Sequence, residues 1–217
     1  MHRKFIALSV LTLTMAASTC LAQVVEKMEI YEGQRIKYPQ VVGENPQVAE
    51  KINQYIVKNV LAKTHKFIDK YGDQGGTAWM TTEVVQDSGD YLSLRIDNGT
   101  FFKGAIHPNN YAHGLVFSKQ TGKKLPLSYF VTMPKAKYLE NYVRCHEFQM
   151  LGYEDEELPL EADMHVTYIS EEYTLDNNDN LDLIYQQYEL GPYAMGNPRI
   201  RLNKRYVDLN GSVLPKG

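Results

Sequence analysis

Two histidines and two asparagines crowd one short stretch between apolar segments, Phe102–Gly114, with the sequence FKGAIHPNNYAHG. His107 and His113 are six residues apart, a spacing that matches no standard zinc motif, and neither a cysteine nor a clear acidic third ligand accompanies them. Glycine allows a ligand to approach the backbone closely, and asparagine caps turns. The stretch is the one candidate for a site in the chain, but from its residues it is interpreted as a turn-rich loop between strands, and no metal or cofactor is predicted.

The sequence motifs that usually mark a catalytic site do not assign an activity to this chain. The sequence has no G-x-S-x-G elbow, no P-loop and no dinucleotide fingerprint. Cys145 is expected in the middle of a helix, as a buried or half-buried thiol without the electropositive partner that a reactive thiolate needs. A pair of carboxylates that cleaves glycosidic bonds stays open, because the fold sets its spacing. A hydrolase is thus an alternative, and a non-enzymatic protein is favoured.

The first 22 residues have the pattern of a secretory signal. Arg3 and Lys4 precede an apolar run from Phe5 to Ala17, and Cys20-Leu21-Ala22 resembles a small-x-small cleavage site. Cleavage after Ala22 predicts a periplasmic or secreted protein, with 23–217 as a single exported domain and a sub-boundary near 72–78. A lipoprotein with Cys20 lipidated is the alternative. The apolar run is too short to span a membrane comfortably, and no later stretch approaches that length.

Charge and cysteine content limit the partners further. Removing 1–22 lowers the Lys and Arg count from 23 to 21 against 26 acidic residues, so the net charge becomes −5. A negative chain argues against a nucleic-acid ligand, which requires a basic face. Cys145 alone would survive cleavage, which leaves no internal disulfide. The 16 tyrosines against one tryptophan are assigned to half-buried sheet positions, with a glycan- or protein-binding surface as the alternative.

The pattern of apolar residues predicts an α+β fold in which antiparallel sheets carry two main helices on one side. Even spacing around Glu32-Gly33-Gln34 predicts a hairpin. Asn45-Pro46 predicts the start of a long amphipathic helix that ends near Tyr71. A second helix is predicted from Pro134 to Gly152.

Strands are predicted on both sides of that second helix. Before it we expect an antiparallel meander over Trp79–Gln86, Tyr91–Ile96 and Leu115–Ser118, with a tight turn at Asn98-Gly99. After it, the polar segment 176–180 is expected to join two strands, His165–Leu175 and Leu181–Tyr188. The acidic run 154–157 is interpreted as a solvated loop.

The segment 181–206 carries the strongest architectural pattern. Leu181, Leu183 and Tyr185 alternate as in a half-buried strand. Breaks at Gly191-Pro192 and Gly196-Asn197-Pro198 then predict a rigid aromatic bend before an extended segment.

Two stretches resemble a bacterial extracytoplasmic domain. GAIHPNNYAHGLVFSKQTGKKLPLSYF, residues 104–130, resembles its Gly-Gly-Ala-His loop, its Lys-Thr-Gly-Lys turn and its Leu-x-Asp-Leu-Phe turn. LIYQQYELGPYAMGNPRIRL, residues 183–202, resembles its closing Tyr-Glu-Ile-x-Pro-Tyr-Ala-x-Gly motif. RIKYPQVVG, residues 35–43, resembles the small domain that usually precedes it. This domain of unknown function forms the C-terminal part of the lysozyme-sensing anti-sigma-V factor and an N-terminal region of some peptidoglycan deacetylases.

The sequence departs from that pattern at two places. Lys103 replaces a glycine of the loop and Ile106 intrudes before His107, while Ser128-Tyr129 replaces an acidic-apolar pair. The resemblance implies an α+β binding module of the cell envelope, whose ligand is a lysozyme-like protein or a peptidoglycan fragment. The ligand-binding residues that we predict are drawn from the loop and from the closing motif: Gly104, His107, Asn109, Tyr111, His113, Tyr188 and Tyr193.

Overall fold

The computed structural model describes residues 23–203 and 211–212, which form an α+β architecture, as predicted. The predicted export signal, with Cys20, lies outside the described residues. So do Arg205 and Tyr206 at the end of the predicted bend segment.

An N-terminal hairpin opens the fold. Strands β1 (Gln23–Tyr31) and β2 (Gln34–Val42) pair antiparallel along their full length. The turn consists of Glu32 and Gly33, with φ of 44° and 75°, which is the geometry that two-residue hairpins require. The predicted hairpin is therefore confirmed.

A long helical segment follows, as the Asn45-Pro46 signal predicts. It consists of α1 (Pro46–Ile56) and α2 (Ala62–Tyr71), joined by one π-helical turn at Val57–Leu61. The Asn45 side chain accepts a hydrogen bond from the Val48 N–H at 3.3 Å and caps the first turn. The predicted bounds are confirmed, whereas the π-helical turn has no signature in the sequence.

A three-stranded antiparallel meander lies against this helix. Its strands are β3 (Thr77–Ser88), β4 (Tyr91–Phe101) and β5 (Asn109–Ser118). The predicted turn at Asn98-Gly99 is wrong, because β4 continues through both residues. A Cβ at Gly99 would overlap the indole ring of Trp79 on the neighbouring strand, so this glycine provides close packing rather than a turn.

The two faces of this meander belong to two hydrophobic cores. Leu115 and Phe117 of β5 pack with α1, α2 and the hairpin, whereas Val116 points into the second core. This alternation follows from the two-residue period of a strand. The predicted sub-boundary near 72–78 falls at the short turn Gly72–Gln74 before β3, and the strands after that turn contribute to both cores.

The second core is built on a five-stranded antiparallel sheet in the order β8-β7-β11-β10-β9. Its strands are β7 (Gln149–Leu151), β8 (Glu157–Leu158), β9 (Tyr173–Leu175), β10 (Leu181–Ile184) and β11 (Arg199–Leu202). Every residue of β10 is buried, so the predicted half-buried strand is a fully buried one. The turn at 176–180 joins β9 to β10, as predicted. A small parallel pair, β6 (Val131–Thr132) with β12 (Gly211–Ser212), completes the described strands.

The second predicted helix is much shorter than expected. Helix α3 spans Ala136–Arg144 and packs Leu139 and Val143 into the second core, while its predicted last turn is strand β7. His146 has a φ of 56°, which ends the helix. Cys145 therefore caps the helix and is exposed, so the prediction of a buried thiol in mid-helix is wrong.

Candidate functional site

Three aromatic side chains from distant parts of the sequence meet at one edge of the fold. The ring of His107 stacks on that of Tyr193, with centroids 3.8 Å apart and 26° between the planes. The Tyr188 hydroxyl lies 3.1 Å from His107 Nε2, and the rings of Tyr188 and Tyr193 are 6.0 Å apart. Such ring pairs stabilise one another by about 0.5–1.5 kcal/mol each. We call His107, Tyr188 and Tyr193 the aromatic cluster.

The loop between β4 and β5 positions His107. The carbonyl of Pro108 accepts a hydrogen bond from the Tyr193 hydroxyl at 3.0 Å and lies 3.1 Å from His107 Nδ1. A carbonyl can only accept, so Nδ1 carries the proton, and His107 Nε2 accepts from the Tyr188 hydroxyl. Both nitrogens of this imidazole are thus used in holding the cluster together. Beside it, the Ile106 side chain is 99 % exposed.

Tyr188 is held in an unusual backbone conformation. Its φ is 69°, in the left-handed region that bulky residues rarely adopt. The preceding residues fix this segment against β5. Gln186 exchanges two hydrogen bonds with the backbone of Ala112, and the Gln187 side chain accepts from the Asn110 N–H at 3.0 Å. These contacts therefore hold Tyr188 in its rare backbone conformation. Rare conformations that are held in this way are frequent at functional positions.

A pocket of about 430 Å³ opens beside Tyr188, between α2, β4 and β5. We call it the polar pocket. Its floor contains Asn98 and His113, whose side chains are 7 % and 3 % exposed. The Asn98 amide Nδ2 donates to Thr64 Oγ1 at 3.2 Å. Asn98 Oδ1 and His113 Nε2 are buried and have no hydrogen-bond partner among the described residues. Leaving such an atom unsatisfied costs about 1–3 kcal/mol, so this arrangement needs an explanation.

Glu172 orients the His113 ring. Its Oε1 lies 3.3 Å from His113 Nδ1, and its Oε2 accepts from the Gly114 N–H at 3.0 Å. Burial would raise the pKa of Glu172, but the hydrogen bond and charge of His113, the charge of Lys124 and the Gly114 N–H together hold it below the usual value. His113 Nδ1 therefore faces the carboxylate, and Nε2 faces the polar pocket without a partner among the described residues.

On its other side, Tyr188 borders a groove of about 600 Å³ that carries carboxylates. Three acidic residues line it, Glu161, Asp163 and Glu189, all of them exposed. His165 also lines it and lies 3.1 Å from Glu140. The groove contains no lysine or arginine among its described lining residues, so its charge is negative at neutral pH. We call it the acidic groove.

The predicted site residues divide among these features. His107, Tyr188 and Tyr193 form the aromatic cluster, while Asn109, Tyr111, His113 and Tyr188 line the polar pocket. Gly104 lies apart from both. It has a φ of 92° and open space around it, so it shapes the loop. The second half of the stretch predicted as a loop, from Asn109 to Gly114, is part of strand β5. Its backbone pairs with β4 in an antiparallel register.

Sequence reasoning missed several residues of the site. Asn98 was assigned to a turn, and Thr64, Glu172 and Gln186 were not singled out. Thr64 carried a usable signal, because it occupies a core position of an otherwise apolar helical stripe. Glu172 and Gln186 carried none, since both act through contacts made across more than 50 residues of sequence.

Two absences apply to the part of the chain that the structure describes. No group of three His, Cys, Asp or Glu side chains is arranged as a metal site there. No helix of residues 23–203 has both the length and the apolar character needed to cross a bilayer.

Comparisons with known proteins show the fold. The chain is similar to the crystal structure of a member of the DUF3298 family from Bacteroides fragilis NCTC 9343, with a TM-score of 0.57, 14 % identity, and coverage of 87 % of this chain and 91 % of that one. It is also similar to a DUF3298 family protein from Pseudomonas aeruginosa PAO1, with a TM-score of 0.58, 12 % identity, and coverage of 85 % and 90 %.

No protein-family model matches the sequence, and no curated protein is significantly similar to it. The fold is thus that of a domain of unknown function. The resemblance to the anti-sigma-V factor and to the deacetylases stays a prediction.

Proposed function

We propose that this chain is an exported, non-enzymatic binding module of the bacterial cell envelope, and that it recognises a basic protein such as lysozyme. The observation that carries the proposal is Tyr188, a bulky residue with a φ of 69° and a side chain that is 61 % exposed. A protein that fixes an exposed aromatic ring in a strained conformation presents that ring for contact.

The charge beside Tyr188 supports a basic partner. Glu161, Asp163 and Glu189 surround the acidic groove, and the chain is net negative. Opposite charges speed the encounter of two proteins, whereas exposed aromatic rings and aliphatic side chains supply the dry centre of an interface. Ile106 and the aromatic cluster would form that centre, and the acidic groove would receive a lysine or arginine of the partner.

A peptidoglycan fragment is the other ligand that the sequence resemblance suggests. The negative charge of three carboxylates attracts a basic protein over a long distance but does not attract a neutral glycan. The acidic groove therefore favours the protein. Muropeptides therefore serve as the competing titrant in the test.

The hydrolase alternative has weaker support. A general acid for glycoside cleavage needs a carboxyl group whose pKa is raised. Glu140, Asp155 and Glu172 are the described carboxyl groups with a resolved shift, and all three have pKa values below the usual range. Hydrogen bonds and charges of neighbouring groups outweigh the effect of burial in each case, so these side chains stay ionised and act as acceptors.

Calorimetric titration of lysozyme into the purified protein tests the proposal. We expect binding at micromolar concentrations that weakens at high salt, because charges beyond about 8 Å are screened near physiological ionic strength. Tyr188→Ala and the pair Asp163→Asn with Glu161→Gln should each weaken it, and the pair should also reduce its salt dependence. Tyr138→Ala removes another exposed tyrosine, on α3, and serves as the matched control.

Absence of heat and of a complex at those concentrations would contradict the recognition of lysozyme. Heat from muropeptides alone would replace the protein ligand with the glycan. Release of reducing ends from peptidoglycan would favour the hydrolase. The export part of the proposal is tested separately, by N-terminal sequencing of the protein from its native host, with Gln23 expected as the first residue.

A further inference from the structure

The polar pocket lies where the apolar interface between helix and sheet ends. Leu92, Leu94 and Ile96 of β4 are fully buried against the helix, and the next position on that face is Asn98. Opposite Asn98, the core-facing position of α2 is the polar residue Thr64 and not an apolar one. The Asn98–Thr64 hydrogen bond joins the strand to the helix. The core thus changes from apolar to polar just at the pocket floor.

The floor offers two buried, unpaired hydrogen-bonding atoms to an occupant. Asn98 Oδ1 is free because the amide nitrogen is directed to Thr64, and His113 Nε2 is free because Nδ1 faces Glu172. In the register of β4 and β5, Asn98 pairs with Tyr111 and Ile96 with His113. Asn98 and His113 are therefore diagonal neighbours on one face, about 7–8 Å apart and somewhat closer at Cβ, and one small molecule can reach both.

The remaining lining sets the charge and shape of that molecule. Lys63 Nζ lies over the Tyr111 ring, 5.0 Å from its centroid, at the rim, which disfavours a cationic ligand. The Glu172 carboxylate behind His113 disfavours an anionic one. Phe67 and Tyr111 provide aromatic rings beside the two unpaired atoms. A neutral ligand with several hydroxyl groups and an apolar ring face fits all of these groups.

We propose that the polar pocket binds a neutral saccharide, whose hydroxyl groups donate to Asn98 Oδ1 and pair with His113 Nε2 while its ring packs against Phe67 and Tyr111. The volume of about 430 Å³ lies within the range of about 300–1,000 Å³ that is typical of small-molecule sites. This goes beyond the proposed recognition of a basic protein, because Asn98 and His113 lie on β4 and β5 rather than in the acidic groove.

Protein NMR with sugars of matched ring and different charge tests this inference. Glucose and N-acetylglucosamine are the neutral probes, and glucosamine and glucuronate are the cationic and anionic counterparts. We expect the neutral sugars to shift the resonances of Asn98 Nδ2 and the His113 ring in a saturable manner, with the charged ones binding more weakly. If neither neutral sugar does so at millimolar concentrations, the proposal is overturned. Ordered water would then be the partner of Asn98 Oδ1 and His113 Nε2.

Variants then separate a ligand role from a structural one. Asn98→Leu removes an acceptor without emptying the site, and we expect it to weaken sugar binding about tenfold, as loss of one hydrogen bond does. Phe67→Leu keeps an apolar side chain but removes the ring, and should also weaken binding. Gln120→Ala, an exposed change in the turn after β5, is the control.

Thermal unfolding of each variant verifies that it folds. If folded Asn98→Leu and Phe67→Leu both bind the neutral sugars like the parent, the pocket is not the binding site. Asn98→Leu should leave lysozyme binding unchanged, so that failure of this inference and failure of the proposed function give different results. Insoluble peptidoglycan added to the protein distinguishes cell-wall glycan from a free sugar as the source of the ligand.

Discussion

The side chain of Gln186 pairs with the backbone of Ala112 as a neighbouring strand would. The Ala112 N–H donates to Gln186 Oε1 at 2.8 Å, and Gln186 Nε2 donates to the Ala112 carbonyl at 2.9 Å. Ala112 lies on β5, at the edge of the three-stranded meander, and is fully buried. Gln186 follows β10 of the other sheet. One side chain thus closes a buried strand edge and fixes the segment that carries Tyr188.

Gln186→Ala should destabilise the protein by about 2–6 kcal/mol, because two buried backbone groups lose their partners at about 1–3 kcal/mol each. Gln186→Glu keeps the shape and the acceptor but cannot donate to the carbonyl, and should be destabilising as well. Gln54→Ala on the exposed face of α1 should change the free energy of unfolding by less than about 0.5 kcal/mol. Urea unfolding gives these values, and a Gln186→Ala protein as stable as the control would refute the pairing.

Gly196 has φ and ψ of 64° and −129°, a combination that is essentially restricted to glycine. The nearest atom to an added Cβ is Tyr153 Cβ at 3.9 Å, so backbone strain and not crowding would oppose a substitution. Gly196→Val is expected to destabilise by about 1–3 kcal/mol. Gly33→Asn, in the first hairpin turn, should be tolerated, because nothing lies within 4 Å and asparagine visits positive φ. Equal melting temperatures for Gly196→Val and the parent would show that the bend is an ordinary surface loop.

The sequence predicted correctly those elements that are determined by interactions within a few residues. The cap at Asn45, the hairpin at Glu32-Gly33 and the asparagine-rich turn at 176–180 all act within a few residues, and the structure has all three. Asn98-Gly99 is the instructive exception. The dipeptide is a strong turn signal, but the indole of Trp79 packs where a Cβ of Gly99 would lie. The conformation of Gly99 is thus determined by a contact with another strand, and that contact cannot be inferred from the dipeptide itself.

The candidate site shows the same limit. Most of its exposed residues could be proposed from a stretch rich in His and Asn and from the aromatic bend. The buried residues that give the pocket its chemistry could not. Asn98 Oδ1 and His113 Nε2 are left unpaired only because Thr64 and Glu172, from distant elements, occupy the other polar atom of each side chain. Which atom of a side chain is left for a ligand is a property of the packed structure.

Asp182 holds two arginines on the buried sheet. Its carboxylate accepts from Arg199 at 3.2 Å and from Arg201 at 2.7 and 2.8 Å. Asp182→Asn would leave Arg199 with a weaker partner in a site that is almost closed to water, and we expect a loss of about 3–5 kcal/mol. Glu26→Gln breaks the exposed pair with Lys37 and should cost no more than about 1 kcal/mol. Guanidinium unfolding of both variants measures the difference, and equal effects would mean that the buried cluster contributes nothing specific.

The last prediction concerns acid stability. The pKa of Glu172 is lower in the folded protein than its ordinary value, as the interactions with His113, Lys124 and the Gly114 N–H outweigh burial. A glutamate in the unfolded chain titrates near about 4.3. Between the two pKa values the unfolded state binds more protons than the folded state, so stability rises with pH there and is lost as the pH falls through the folded value. Above about pH 5 the contribution is fully present.

Glu172→Gln should therefore lower the free energy of unfolding at pH 7, where His113 and Gly114 lose a charged acceptor. The difference from the parent should shrink as the pH falls below about 4, because the parent then protonates the same group. Urea unfolding at a series of pH values measures this convergence. Glu154→Gln, an exposed acid, provides the control and should run parallel to the parent throughout. A Glu172→Gln curve that also stays parallel would mean that the carboxylate is not held ionised by these contacts.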